Sequence, residues 1–198
     1  MMVVPVSKTK RKLIEVARQL FARNGLENTT MNDIAEASER GRRTLYTYFR
    51  SKTDIYKAVI ESELQTLYLR LESVIERQLP ADEKLMLFAF TRLGAIKEVV
   101  RRNGTLKADF FRDIWKVENV RKEFDQKEIH YLQSILQDGC DSGLLEMANV
   151  RQTAGILHYA LKGLEVPAIR GVMTLDYQRK EDRDVISTLI FRGLYKKQ

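Results

Sequence analysis

Thr29-Thr30-Met31-Asn32-Asp33-Ile34-Ala35, carried through Ser38-Glu39-Arg40-Gly41 into Arg42-Arg43-Thr44-Leu45-Tyr46-Thr47-Tyr48-Phe49-Arg50-Ser51-Lys52, decides how this chain is read. Thr30 offers a side-chain oxygen suited to an N-cap. Asp33, three residues on, completes a partial capping box, so a short helix starts here. Ser38 to Gly41 is a tight corner, and a second helix is predicted from near Arg42 to about Tyr48. Two short helices meeting at such a corner make a helix-turn-helix, with the second helix presenting its leading end to base edges. Arg42 and Arg43 suit bidentate contact with guanine O6 and N7, and Thr44, Tyr46 and Tyr48 carry hydroxyls suited to phosphate or thymine. Thr30, Arg42, Arg43, Thr44, Tyr46, Thr47, Tyr48 and Lys52 are the candidate DNA-binding residues. Leu45 and Phe49 are read as core.

Residues from about Leu13 to Lys57 resemble the N-terminal DNA-binding domain of the TetR family of bacterial transcriptional regulators. The resemblance rests on Ile14, Ala17, Leu20 and Phe21 in a first helix, then Gly25, Thr29-Thr30, Ile34-Ala35, Thr44-Leu45-Tyr46, Tyr48-Phe49 and Ser51-Lys52. It covers about a quarter of the chain; the rest fits the family by length and helical pattern. In the turn the family uses a small residue, Gly, an apolar residue and Ser, where this chain has Ser38, Glu39, Arg40 and Gly41. Glu39 therefore stands where a left-handed backbone is expected, a conformation that costs a residue with a Cβ on the order of 1 kcal/mol. Arg43 replaces a common Gly, which points to an altered base preference.

Residues 1–58 hold 12 Lys and Arg against 6 Asp and Glu, whereas residues 59–198 hold 22 against 21. Nearly all of the +7 excess thus falls on the helix-turn-helix part. A basic bias alone suits RNA or anionic lipid equally, but its confinement to this motif favours duplex DNA. The opening Ser7-Lys8-Thr9-Lys10-Arg11-Lys12 reads either as an arm along phosphates or as a solvated tail. With 44% apolar residues, 3 Pro and 10 Gly, the chain is expected to be globular and helix-rich. The apolar residues at the N-terminus precede the basic ones and fall short of a signal core. The longest apolar run, Leu85 to Phe90, is far below a bilayer span, so a cytoplasmic protein is expected. A single Cys140 allows no internal disulfide.

The fold class expected is all-α: an N-terminal three-helix helix-turn-helix domain, residues 1–52, joined to a C-terminal helical regulatory and dimerisation domain, residues 53–198. A long helix is predicted to start at Ser51-Lys52-Thr53-Asp54 and to run, through apolar positions from Ile55 to Ile75, to about Leu79, ended by Pro80. Further helices are predicted near 82–102, 106–117, 120–138, 150–165 and 182–194. In the family the long helix links head to body. A stiff helix shared by two domains turns a shift at one end into displacement at the other. Phe88, Phe111, Trp115, Tyr131 and His158 are the candidates for binding an unknown small-molecule effector, apolar or aromatic in character; for any one of the aromatics plain core packing is the favoured alternative, and for His158 it is a partly buried place on its helix. The last two helices, with Gly155 and Gly163 permitting close approach, are read as one half of a four-helix dimer interface. A homodimer also suits a palindromic operator, whose half-sites lie about 34 to 36 Å apart.

Enzyme chemistry finds little support. His130 and Cys140 do not share a helix face, and no triad, zinc, calcium or phosphate-loop signature occurs. No cofactor and no metal are expected. The reading is a ligand-responsive, DNA-binding transcriptional regulator, a repressor released by its effector. The alternatives are an architectural protein that binds DNA without sequence preference and, behind it, a helical enzyme.

Overall fold

A computed structural model describes residues 7–102, 118–165, 167 and 171–191. Eight helices occur among them: α1 Lys8–Asn24, α2 Met31–Ala37, α3 Arg42–Tyr48, α4 Lys52–Ile75, α5 Ala81–Arg102, α6 Glu118–Asp141, α7 Val150–Gly163 and α8 Lys180–Phe191. The all-α expectation holds among the described residues. The helix expected near residues 106–117 lies outside them.

The chain divides into two compact units. One comprises Met1–Gln65 with Val99–Val120, the other Thr66–Glu98 with Arg121–Gln198. Helix α4 contributes to both.

In the first unit, Leu13, Ala17 and Phe21 of α1 meet Ile34 and Ala35 of α2, Leu45 of α3, and Ile55, Tyr56 and Val59 of α4 in one buried core. The spacing of Leu13, Ala17 and Phe21 repeats every four residues, which stacks them on one face of a 3.6-residue helix. Phe21 and Tyr56 meet edge to face, with ring centroids 6.1 Å apart. Helix α1 stops at Gly25, whose φ of 84° and ψ of 161° lie in a region open essentially to glycine alone. Charged side chains border this core. Arg18 pairs with Glu15 at 2.5 Å and donates to the Arg102 carbonyl at 3.2 Å, while Arg102 itself pairs with the buried Glu63. These contacts tie α1 to α4 and to the last turn of α5.

The second unit buries Leu67, Leu71 and Val74 of α4, Leu85 and Phe88 of α5, Leu132, Ile135 and Leu136 of α6, Leu145, and Ala154 of α7. Gly139 makes a close approach possible there. A Cβ on it would stand 2.5 Å from Leu145 Cδ1 and 3.0 Å from the Ala81 Cβ. Helix α7 starts at Asn149, whose side chain accepts from the Gln152 N–H at 2.9 Å.

Candidate nucleic-acid interface

Helix α2 is fixed at its start by both halves of a capping box: the Thr30 oxygen accepts from the Asp33 N–H at 3.2 Å, and the Asp33 carboxylate accepts from the Thr30 N–H at 2.8 Å. The Thr30 backbone and side chain hold the Asp33 carboxyl below the usual carboxylate range. The partial box read in the sequence is a complete one in the structure.

The corner closes α2 with a Schellman pattern. The Glu39 N–H donates to the Glu36 carbonyl at 3.0 Å and the Arg40 N–H to the Ala35 carbonyl at 3.1 Å. Such a closure places its turning residue in the left-handed region, and Glu39 has φ of 54°. The turn thus keeps the geometry the family achieves with glycine, at the expense of a strained glutamate. The Glu39 carboxylate meets the Lys12 ammonium at 3.0 Å on the exposed surface. That bond holds its carboxyl below the ordinary range.

Helix α3 follows Gly41 and turns Leu45 fully inward, with Phe49 just behind it in the core. One buried anchor in a helix this short leaves the rest of its circumference to solvent. Arg42, Arg43 and Thr47 are exposed, Thr44 is half-buried, and Tyr46 and Tyr48 are 44% and 37% exposed. Thr30 lies at the surface as well. Two hydroxyls already have intramolecular partners: Thr47 Oγ1 donates to the Arg43 carbonyl at 2.9 Å, and the Tyr48 hydroxyl accepts from Ser7 Oγ at 3.2 Å. The Tyr48 bond brings the N-cap of α1 to the end of α3; the basic run from Lys8 to Lys12, expected as an arm or a solvated tail, is the beginning of α1 itself.

Lys52 has a second task. Its ammonium donates to the Leu26 carbonyl at 2.8 Å and the Glu27 carbonyl at 3.2 Å, so it docks the first turn of α4 on the loop after α1. An ammonium has three protons, which leaves one for a phosphate oxygen. Sequence pattern gave no sign of this buttress, because its acceptors are backbone atoms 25 and 26 residues away.

Residues 13–59 match the model of the bacterial regulatory proteins of the tetR family. The probable acrEF/envCD operon repressor of Escherichia coli K12 is 30% identical over 154 residues, which cover 71% of this chain and 68% of that protein. The chain belongs to the TetR family. It is a DNA-binding transcriptional regulator, and its expected family is borne out. YhgD, a helix-turn-helix-type regulator of Bacillus subtilis, is 24% identical over 153 residues, covering 75% of this chain and 78% of its own. In fold, this TetR-family chain is similar to a transcriptional regulator from Cytophaga hutchinsonii with a TM-score of 0.75, at 22% identity, over 96% of this chain and 100% of the other.

Of the five residues singled out for effector binding, three lie among the described residues. Phe111 and Trp115 lie outside the described residues. Phe88 is fully buried in the second core. His158, expected to be partly buried, is fully so, against Asp125 and Glu128. Tyr131 alone is half-exposed; it stacks on Tyr68 with centroids 5.4 Å apart, and its hydroxyl donates to Glu72 at 3.4 Å. Burial and the neighbouring Tyr68 and Glu72 push the Tyr131 phenol far above its ordinary pKa, so it stays a neutral donor. Phe124 adds an edge to the same aromatic group, 6.2 Å from Tyr68, and Lys127 lies over the Tyr68 ring. Tyr68 and Phe124 were missed in the sequence because one aromatic on each of two helices looks like core until the helices are seen side by side. A separate groove of about 440 Å³, bordered by His130, Gln133 and Arg151, contains none of these rings.

No described helix is long and apolar enough to cross a membrane.

Proposed function

We propose that this TetR-family protein is a repressor that binds a palindromic operator as a homodimer and is released by a small-molecule effector. The observation that carries the reading is α3: Leu45 pins the helix to the core while Arg42, Arg43, Tyr46 and Thr47 are exposed on its outer face. Arg42 and Arg43 read bases, Thr44 and Tyr46 share base and phosphate contacts, and Thr30, Thr47, Tyr48 and Lys52 hold the backbone. Residues 1–52 are the reading head and residues 53–198 the sensing and pairing body.

Pairing is supported by apolar side chains that α7 and α8 leave in water. Ile156 and Tyr159 are each 62% exposed, Val185 54% and Leu189 76%. Exposed apolar groups of this size on neighbouring stretches of sequence suit burial against a second copy. Release by an effector is supported by the half-buried aromatic group Tyr68, Phe124 and Tyr131, which offers flat apolar surface to an apolar or aromatic ligand.

Footprinting on the DNA upstream of the gene tests the reading. Two protected half-sites centred about one or two helical turns apart are expected. Uniform protection that follows protein concentration and ignores sequence would replace the operator reading with an architectural one.

A further inference from the structure

The second unit buries a charged cluster that the DNA-binding function does not use. Arg92 of α5 donates through Nε to both carboxylate oxygens of Glu128 on α6, at 2.9 and 3.0 Å, and through Nη2 to Glu165 at 2.6 Å. On the other side of Glu128 stands His158 of α7, with Nδ1 2.9 Å from Glu128 Oε2 and Nε2 3.5 Å from Asp125 Oδ1. Lys162, one turn further along α7, pairs with the other oxygen of Asp125. His158 and Glu128 are wholly excluded from solvent. Yet neither imidazole nitrogen has an aligned hydrogen bond, despite the short approach to Glu128. Each imidazole nitrogen faces one carboxylate, an arrangement able to hold either a proton or a metal ion.

We propose that Asp125, Glu128 and His158 form a binding site for one divalent transition-metal ion of the zinc class. Asp125 and Glu128 are three residues apart, which sets both carboxylates on one face of α6, and α7 brings the imidazole to that face. One ligand atom from each residue lies within 4.8 Å of the others. Bonds of about 2.0 to 2.2 Å at tetrahedral angles set ligands about 3.3 to 3.6 Å apart, so the widest pair closes by up to about 1.5 Å, within reach of side-chain rotation, to complete the site. One nitrogen and two carboxylate oxygens suit zinc, cobalt, nickel or manganese, and the imidazole disfavours magnesium and calcium. The site escapes motif inspection because its donors sit on two helices, the histidine 30 residues beyond the second carboxylate.

A metal can enter without upsetting the charge. Three carboxylates, Asp125, Glu128 and Glu165, face Arg92, Lys162 and His158, whose pKa, despite burial, the two neighbouring carboxylates raise. A divalent ion takes the place of the imidazole proton, since a metal-bound imidazole is neutral, and adds one charge too many unless a further cation departs. Lys162 can depart: its side chain is 27% exposed and reaches solvent by rotating away from Asp125. Arg92 is buried and remains, orienting Glu128 as an outer partner while Oε2 keeps a lone pair for the ion. Metal in and Lys162 out leaves three negative charges against three positive ones.

This balance makes Lys162 a competitor of the metal, which separates a true site from a structural ion cluster. The untagged, EDTA-treated full chain is titrated with Zn²⁺ by calorimetry and with Co²⁺ by visible absorption, with circular dichroism as the check on folding. The expected result is one equivalent bound, at least about tenfold weaker binding in Asp125→Asn, and severalfold tighter binding in Lys162→Ala. An excess of Mg²⁺ leaves the Co²⁺ spectrum unchanged. Absence of saturable binding by the wild type overturns the proposal. So do a folded Asp125→Asn that binds like the wild type, and weaker binding in Lys162→Ala.

Discussion

At position 39 a backbone that suits glycine carries a glutamate, with φ of 54°. The surface pair with Lys12 offsets little of that strain, because exposed ion pairs contribute little. Glu39→Gly is therefore expected to stabilise the protein by about 0.5 to 1 kcal/mol in a urea titration, since removing the Cβ relieves more than glycine's added chain entropy costs. A loss of stability would mean that the Lys12 pair matters more than its exposure implies. The converse change is Gly25→Ala. Open space surrounds the position, yet φ of 84° strains any side chain, so a loss of about 1 to 3 kcal/mol is expected in the same titration. The strain at residue 39 was legible in the sequence because the resemblance to the family's turn, which has glycine there, marked the residue that needs the left-handed backbone. The task of Lys52 was not, since backbone acceptors leave no trace in residue type.

Among the elements, α2 depends on its cap. Thr30→Ala removes one half of the capping box and is expected to cost about 1 kcal/mol in the same assay. Asp33 supplies the other half, and its folded pKa lies below the unfolded value. Its contribution is therefore complete above about pH 3.9, the unfolded value, and disappears as pH falls through the lowered folded pKa. The gap in melting temperature between wild type and Asp33→Ala should accordingly be full at neutral pH and close in acid; a gap independent of pH would show that the carboxylate's charge is not what the cap uses. The limits of α3, Arg42–Tyr48, were readable, whereas α4, expected to run to Pro80, ends five residues before it. The aromatic group on α4 and α6 and the ion cluster joining α5, α6 and α7 were not readable. Each depends on which faces of separate helices meet, and periodicity within one helix does not record that.

For the whole molecule, the reading requires two heads presented by a symmetric pair. Leu189→Arg places a charge at a side chain that is 76% exposed in the single chain, so the fold should survive while the dimer does not. Light scattering is expected to show the monomer mass at concentrations where the wild type has twice that mass. An unchanged mass would move the interface away from α8. The concentration of positive charge on the first unit explains affinity for any duplex, and phosphate contacts alone would give a steep salt dependence. Specificity belongs to Arg42 and Arg43: replacing either by Ala should cost roughly 1 to 3 kcal/mol at the base it reads and little at other positions.

Competition binding provides the most direct measurement. A labelled palindromic fragment from the gene's upstream region is bound by wild type, Arg42→Ala and Arg43→Ala proteins at fixed salt and displaced by random duplex. The account predicts that the wild type prefers the palindrome by about 10³ or more and that both variants lose much of that preference while keeping their affinity for random duplex. A wild-type preference below about tenfold, or arginine variants that discriminate as well as the wild type, would contradict it.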